Sequence, residues 1–268
     1  ELNKIDTEII QFLEFWKSNK ETLFIQTSGS TGKPKKIEIK RNAIINSAKA
    51  TLDYFKIKEN SKFHCCLPTK YIGGKMMLVR AFINKAEIIL TKPTKNVTSE
   101  LKEKIDFSAM TSMQVENSIH EKGFKHIKKL IIGGGPISNQ LLEKIENQST
   151  KCYQTFGMTE TVSHIAIREL NNSKIDDPYE CLNHVKISTN KSGVLIINST
   201  KLNIESLTTN DLVQLTGNEQ FKYIGRSDNI INSGGIKVHP ETLEKEIEKI
   251  LKCKDFFIDK IDDNELGE

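Results

Sequence analysis

The sequence predicts an α/β fold in which a mixed, mostly parallel sheet is flanked by helices. Short apolar runs bounded by turn residues indicate buried strands, and segments with apolar residues on one helical face alternate with them. The pattern changes near Ile187 to short strands joined by polar turns, which predicts a smaller β-rich unit that closes the domain. The segment after Ile224 predicts a final, truncated α+β unit.

The elements follow in chain order. The strands predicted in the first half cover residues 23–26, 63–67, 88–91 and 129–132. The helices between them cover residues 42–55, 75–84 and 139–145, with Asn42 and Ser138 as N-caps. The second half adds antiparallel strands at 194–198, 212–215 and 221–224, a helix at 240–252 and a strand at 256–258.

Composition excludes several classes of protein. The 39 basic and 35 acidic residues are mixed along the chain, and no basic and aromatic stripe indicates binding to nucleic acid. No apolar segment is long enough to span a membrane and no signal peptide is evident, so we expect a cytoplasmic protein. The five cysteines predict reduced, buried thiols, and His64 beside Cys65 and Cys66 is expected to pack in the core rather than bind a metal. A homo-oligomer is left open.

Residues 27–35, directly after the first strand, have the composition of a phosphate-binding loop. They are Thr27, Ser28, Gly29, Ser30, Thr31, Gly32, Lys33, Pro34 and Lys35. The glycines let backbone amides approach an anion, and the hydroxyls and lysines add donors and positive charge. The common nucleoside-triphosphate P-loop is excluded, because only two residues separate the glycines and Pro34 replaces the required hydroxyl. A flexible linker is the alternative, which the lysines and proline disfavour.

Three further clusters suit a nucleotide. They are Gly133, Gly134 and Gly135 after one strand, Phe156, Gly157, Thr159 and Glu160 after another, and Asp211 with Arg226 further along. The three glycines would let a flat ring lie against bare backbone, although a tight turn explains them equally well. The hydroxyl and carboxylate of the second cluster suit phosphate and Mg²⁺, with a helix N-cap as the alternative. The last pair suits a ribose diol, and an exposed ion pair is its alternative.

Taken in order, these segments resemble the adenylate-forming enzymes, which include acyl-CoA synthetases, luciferases and the adenylation domains of peptide synthetases. Residues 27–35 look like that family's phosphate loop, and residues 156–160 resemble its Y-G-x-T-E motif with phenylalanine in place of tyrosine. Residues 209–211 resemble T-G-D, and residues 266–268 resemble a later L-G-E. Residues 225–241 resemble the hinge motif that begins G-R-x-D and ends P-x-E.

The resemblance implies that ATP and Mg²⁺ activate a carboxylic acid as an acyl-adenylate, which then passes its acyl group to coenzyme A. Thr31 and Lys35 would hold the leaving phosphates, Thr159 the α-phosphate and Glu160 the Mg²⁺. The glycines 133–135 would flank adenine, Asp211 with Arg226 would bind ribose, and Asp228 would be the hinge. Residues 1–226 would form the domain that binds ATP and the acyl substrate, and residues 227–268 the start of an incomplete C-terminal lid.

The chain ends before the family's late catalytic lysine, so we expect this stretch alone to perform adenylation poorly and the natural protein to be longer. Residues 67–82 align with the family's acyl-site segment, with Tyr71 where many members have histidine. The short chain and its basic residues most resemble compact o-succinylbenzoate:CoA ligases of menaquinone synthesis. Their substrate site would include Tyr71, Gly74, Lys75 and Arg80, with Lys70 nearby.

For any one of the cations Lys70, Lys75 and Arg80, a solvated position on the surface is at least as good an explanation as substrate binding. Two other functions remain open. One is another acyl-CoA ligase or a peptide-synthetase adenylation unit. The other is a nucleotide-binding protein without catalytic activity.

Overall fold

The computed structural model describes residues 7–26, 36–251 and 256–263. The predicted phosphate loop and the L-G-E motif lie outside these residues. The helices are α1 Thr7–Lys17, α2 Arg41–Tyr54, α3 Ile72–Asn84, α4 Ser112–Ser118, α5 Asn139–Glu146 and α6 Pro240–Leu251. The strands before residue 160 are β1 Thr22–Gln26, β2 Lys36–Lys40, β3 Lys62–Cys65, β4 Glu87–Leu90, β5 Ile105–Thr111, β6 Ile127–Gly133 and β7 Lys151–Gly157. The later strands are β8 His164–Glu169, β9 Tyr179–Cys181, β10 Lys186–Thr189, β11 Val194–Ser199, β12 Ile204–Gly217, β13 Gln220–Arg226, β14 Ile231–Ser233 and β15 Ile236–Val238.

Eleven of the described strands form one sheet in the order β10-β11-β12-β13-β9-β8-β7-β6-β5-β3-β4. The pairs from β4 through β3, β5 and β6 to β7 are parallel. From β7 onward every pair is antiparallel, beginning with β7 against β8. The mixed α/β fold is therefore confirmed, with the parallel strands confined to one half of the sheet. The β-rich region begins at β8, earlier than its sequence pattern indicates, and continues the same sheet.

Helices cover both faces of the parallel half. Successive residues of β6 point to opposite faces, and Ile131 belongs to one buried apolar cluster whereas Leu130 and Ile132 belong to the other. The first cluster includes side chains of α1, α2 and α3, and the second includes side chains of α4 and α5. This arrangement leaves the carboxyl ends of the parallel strands as the edge at which loops can form a site.

Most predicted elements are present, and two local predictions are wrong. Ser138 caps α5, since its hydroxyl accepts a hydrogen bond from the amide of Leu141 at 3.1 Å. Asn42 is not an N-cap: α2 begins at Arg41 with Lys40 as the cap, and the Asn42 side chain instead accepts a bond from Asn203 at 3.0 Å. Residues 256–258 form no strand, and the amide of Ile258 donates to Glu244 at 2.7 Å.

His64 and its neighbouring thiols are buried, as the sequence predicts. The imidazole of His64 is fully buried and contacts the hydroxyls of Ser108 and Thr91, each at 3.0 Å. Cys65 and Cys66 are free and buried. Burial lowers the pKa of His64 to about 4, so the imidazole is neutral in the folded protein at pH 7.

This burial predicts a pH-dependent stability. Because the pKa of His64 is about 4 when folded and its ordinary value is 6.5, the unfolded chain takes up the proton first as the pH falls. The contribution of His64 is complete above pH 6.5 and decreases by about 3 kcal/mol as the pH falls to about 4. Urea unfolding of wild type and His64→Gln should show the wild type losing more stability between these pH values. The same substitution at exposed His120 is the control. Parallel pH curves for wild type and H64Q would contradict the prediction.

Within the described parts of the chain, no helix combines the length and apolar character that crossing a membrane requires.

Candidate nucleotide and acyl site

The glycine cluster and the Thr-Glu cluster leave the sheet at neighbouring positions. Gly133 ends β6 and Gly157 ends β7, and these two strands are parallel neighbours. Gln154 and Thr155 of β7 bind the backbone of the glycine segment: the Gln154 amide donates to the carbonyl of Gly135 at 3.4 Å, and the Thr155 hydroxyl donates to that of Ile132 at 3.1 Å. The two loops therefore form one edge of a common surface.

At two of the three clustered glycines, a side chain would have to displace a neighbouring hydroxyl. A Cβ at Gly133 would lie 2.9 Å from the Thr155 hydroxyl oxygen, and one at Gly135 would lie 2.9 Å from that of Ser112. Gly134 has a φ of +78°, which side-chain-bearing residues rarely adopt. These contacts pack Gly133 against β7 and Gly135 against the start of α4, while Gly134 between them is exposed.

The segment after Gly157 is a strained turn. No helix follows Thr159 and Glu160, because the chain turns directly into β8, so the helix N-cap alternative is wrong. The Thr161 hydroxyl closes the turn by accepting from the amide of Met158 at 2.9 Å and donating to the carbonyl of Ser163 at 2.8 Å. Val162 has a φ of +66°, an outlier for a β-branched residue and a frequent feature of functional loops. Thr159 is half-buried and Glu160 is exposed.

Aromatic packing connects β7 with the strands that carry the predicted ribose pair. The ring of Phe156 packs against Phe221 at a centroid distance of 5.1 Å and against Tyr223 at 6.1 Å. Both partners lie on β13, which pairs with β12 so that Asp211 lies opposite Arg226. Phenylalanine at position 156 therefore forms part of the packing between the two halves of the site.

Asp211 and Arg226 face each other, but the arginine has a nearer partner. The Arg226 guanidinium donates to both carboxylate oxygens of Asp228, at 2.8 and 2.6 Å, and lies 4.0 Å from Asp211. Arg226 consequently lowers the pKa of Asp228. The Asp211 side chain is only 10% exposed, and burial raises its pKa. The alternative of an exposed ion pair therefore applies to Arg226 with Asp228. The carboxylate of Asp211 is instead buried and can accept hydrogen bonds.

The predicted acyl-site residues on α3 separate into two groups. Lys75 is buried, donates to the carbonyl of Thr69 at 2.8 Å and lies 3.6 Å from a carboxylate oxygen of Glu8. With exposed Lys70 it lines a cavity of about 200 Å³ beside β1. Arg80 follows Lys75 by five residues, which places it on a different face of the helix.

The other two predicted acyl-site residues lie at the start of α3. Tyr71 is 46% exposed. A Cβ at Gly74 would come within 2.5 Å of the carbonyl oxygen of Pro68, so only glycine allows this close turn.

Arg80 is the most unusual charged group of the site. Its side chain is 1% exposed, and burial lowers its pKa to about 9, which leaves it protonated at neutral pH. One guanidinium nitrogen, Nη2, donates to the Ser163 hydroxyl at 2.8 Å, and the buried Nε has no hydrogen-bond partner in the described part of the chain. Among the described residues no carboxylate forms an ion pair with it. Surface solvation is therefore excluded for Arg80.

Three residues near Arg80 were missed by sequence reasoning. Ser163 and His164 follow the Thr-Glu turn directly, and His164 contacts Thr51 of α2 at 3.1 Å. Ser163 lies three residues after Glu160, so its position next to the motif could have identified it as a site residue. The contact with Thr51 spans 113 positions and leaves no local pattern.

The predicted phosphate loop lies outside the part of the chain that the structure describes. Eight members of the phosphate loop lie outside the described residues: Thr27, Ser28, Gly29, Ser30, Thr31, Gly32, Lys33 and Lys35.

A mixed sheet flanked by helices, with glycine and acidic clusters at the strand ends, is the architecture of an adenylate-forming enzyme. A family model described as AMP-binding enzyme matches residues 13–202, and the chain belongs to that family. An acyl-CoA synthetase (AMP-forming)/AMP-acid ligase II-like protein from Dyadobacter fermentans has a similar structure, with a TM-score of 0.78 and 34% identity. That match covers 100% of this chain and 79% of the other.

Several relatives are ligases of the same acid. The 2-succinylbenzoate–CoA ligase of Listeria monocytogenes is 22% identical over 95% of this chain, and that of Escherichia coli is 23% identical over 94%. The matches span 60% and 58% of those two proteins, so the chain corresponds to a little over half of their length. The Bacillus subtilis O-succinylbenzoate coenzyme A synthetase, solved with ATP and magnesium, has a TM-score of 0.77 at 19% identity, covering 91% of this chain and 58% of its own.

Proposed function

We propose that the protein to which this chain belongs is an AMP-forming acid–coenzyme A ligase whose acid is 2-succinylbenzoate, acting in menaquinone biosynthesis. The observation that carries the substrate assignment is Arg80, a buried guanidinium without a carboxylate partner among the described residues. Burying a charge without a counter-ion destabilises the fold. A residue with such a charge is typically kept where a ligand supplies the opposite charge. A diacid has one carboxylate to react and a second to pair with Arg80. The ligases named above support this choice.

The nucleotide half of the site suits ATP. The backbone of residues 133–135 would lie against adenine, and the Asp211 carboxylate would accept hydrogen bonds from the ribose hydroxyls. Residues 27–35 would hold the phosphates through backbone amides and through Thr31 and Lys35. Glu160 presents one exposed carboxylate to solvent, which is what Mg²⁺ needs when nucleotide phosphates and waters complete its shell.

The proposed chemistry depends mainly on positioning. A carboxylate oxygen of the acid attacks the α-phosphorus, the bond to pyrophosphate breaks, and the acyl-adenylate forms. The strained turn would hold Thr159 beside the α-phosphate, and Arg80 would fix the other end of the acid. The coenzyme A thiol then attacks the acyl carbon and AMP leaves.

We also propose that the domain boundary falls between residues 226 and 227, with Asp228 as the hinge. Asp228 accepts from both Arg226 and Asn210, so its carboxylate fastens the start of the C-terminal segment to β12 and β13. The Glu241 carboxylate of α6 accepts from the amide of Arg226 at 3.3 Å and from the Asn229 side chain at 2.7 Å. Rotation about this point would bring coenzyme A to the adenylate in the second half-reaction.

Pyrophosphate release by the full-length protein tests the proposed function. With ATP, Mg²⁺ and coenzyme A, 2-succinylbenzoate should give a kcat/KM on the order of 100-fold above that of benzoate or a fatty acid, because only the diacid neutralises Arg80. Equal rates with benzoate would exclude the diacid assignment. Transfer to a carrier-protein thiol but not to coenzyme A would instead indicate a peptide-synthetase unit, and ATP binding without any pyrophosphate release would indicate a non-catalytic protein.

A further inference from the structure

A chain of hydrogen bonds connects Arg80 through Ser163 and His164 to Thr51 of α2. Arg80 Nη2 lies 2.8 Å from Ser163 Oγ, and Ser163 Oγ lies 3.5 Å from Nδ1 of His164. On its other side, His164 Nε2 lies 3.1 Å from the hydroxyl of Thr51, which donates to the carbonyl of Ser47 at 3.1 Å. Sequence reasoning gave no role to His164 or Thr51.

The Thr51 end of this chain fixes the direction of the hydrogen bonds. A carbonyl can only accept, so the Thr51 proton points to Ser47 and the Thr51 oxygen accepts from His164 Nε2. A neutral ring with hydrogen on Nε2 has none on Nδ1, which then accepts from the Ser163 hydroxyl. The Arg80 end agrees with this polarity, because an arginine can only donate and Ser163 accepts from it through a lone pair. Burial, with Arg80 and His184 nearby, keeps the pKa of His164 well below its ordinary value and so keeps the ring neutral.

We propose that His164 is a positioning residue that orients the Ser163 hydroxyl and, through it, the Arg80 guanidinium for the second carboxylate of the substrate. With its proton held by His164, Ser163 presents only lone pairs to Arg80 and cannot donate to the substrate. Recognition of the second carboxylate then falls to the guanidinium, whose buried Nε–H has no partner among the residues that the structure describes. This inference rests on the proposed function for the identity of the acid, but the hydrogen-bond polarity does not.

The tautomer of His164 is measurable without any activity. The full-length protein is labelled with ¹⁵N-histidine, and the spectrum of wild type is compared with that of a His164 variant to assign the signals of His164. We expect a neutral ring protonated at Nε2. A ring protonated at Nδ1, or a charged ring, would overturn the inference even if the enzyme is active.

Two variants separate the roles of the two ring nitrogens. His164→Asn keeps an acceptor near the position of Nδ1, whereas His164→Gln keeps a donor near that of Nε2. We expect H164Q to raise the KM for 2-succinylbenzoate about tenfold with a smaller change in kcat and little change with benzoate, and H164N to stay within about threefold of wild type. A purely structural role predicts similar effects of both variants on both acids, and that result would overturn the inference.

The outcomes are distinguishable from a failure of the proposed function. If wild type shows the expected tautomer but does not activate 2-succinylbenzoate, the proposed function is wrong and the hydrogen-bond polarity stands. If wild type activates the diacid but the tautomer is reversed, the positioning role alone is wrong. Should H164Q not fold, the tautomer of wild type still decides the question.

Discussion

Replacement of Arg80 by methionine is expected to lower kcat/KM for 2-succinylbenzoate by on the order of 100- to 1,000-fold. Arg80 is the buried cation that we assign to the second carboxylate, and truncating one partner of a buried charge pair typically costs about 3–5 kcal/mol. The rate with benzoate, which has no second carboxylate, should change much less. Steady-state pyrophosphate release with both acids measures the effect.

The same substitution should stabilise the unliganded protein. Arg80 is 1% exposed, and its Nε has no partner within residues 7–26, 36–251 and 256–263. Methionine is an unbranched apolar side chain that can adapt to the space. Removing the desolvated charge is expected to raise the free energy of unfolding by about 1–4 kcal/mol in urea. Lower activity together with higher stability is the signature of a residue retained for binding.

Arg41→Met is the matched control. Arg41 donates to four backbone carbonyls, those of Phe15, Trp16, Ser18 and Lys20, at 2.7 to 3.1 Å. Its loss leaves carbonyls without partners, so R41M should destabilise the fold and leave the preference for the diacid unchanged. If R80M also destabilises the protein and affects both acids equally, Arg80 is structural and the substrate assignment fails.

Asp211→Asn should weaken ATP binding about 100-fold, as measured by calorimetry on the full-length protein. A carboxylate can accept hydrogen bonds from both ribose hydroxyls, and bonds to a charged group contribute about 1.5–3 kcal/mol each. Burial raises the pKa of Asp211 despite the nearby Arg226, so its charge gives no net stabilisation to the unliganded fold, and D211N should unfold at an unchanged or higher temperature.

Asp53→Asn, on the exposed side of α2, is the control for this substitution and should leave ATP affinity unchanged. Equal affinities of wild type and D211N for ATP would remove Asp211 from the nucleotide site. Arg226 would then be explained by its ion pairs, with Asp228 at 2.6 Å and with Asp211 at 4.0 Å.

The parts of the fold that the sequence predicts are those with local causes. The predicted strands of the parallel half, β3, β4 and β6, are apolar runs, and the Ser138 cap depends on an amide three positions away. β5, which lies between β3 and β6, was not predicted, because its sequence mixes apolar and polar residues. The prediction of Asn42 as an N-cap is wrong because its side chain accepts a hydrogen bond from Asn203. This contact joins residues 161 positions apart, so no local sequence pattern indicates it. The continuous antiparallel half was also not predictable, since β8 and β9 join it through pairings with β7 and β13.

In the candidate site, too, local motifs identified some residues, whereas properties that depend on distant contacts could not be predicted. Thr159, Glu160, Asp211 and Arg226 belong to contiguous motifs, so a resemblance was enough to select them. Within the described ranges Arg80 has no counter-ion, whereas Lys75 has Glu8 within 3.6 Å. The sequence could not show this difference, because both are cations on one helix. Nor could it show that Asp228 is nearer than Asp211 to Arg226, a difference that follows from the turn after β13.

The most direct test of the central claim follows one oxygen atom. The full-length protein is incubated with ATP, Mg²⁺, coenzyme A and 2-succinylbenzoate whose carboxylates carry ¹⁸O, and the AMP product is analysed by mass spectrometry. Attack of a carboxylate on the α-phosphorus transfers one substrate oxygen, so AMP should contain a single ¹⁸O atom. Unlabelled AMP, or ADP in its place, would contradict the assignment of this protein as an acyl-adenylate-forming ligase.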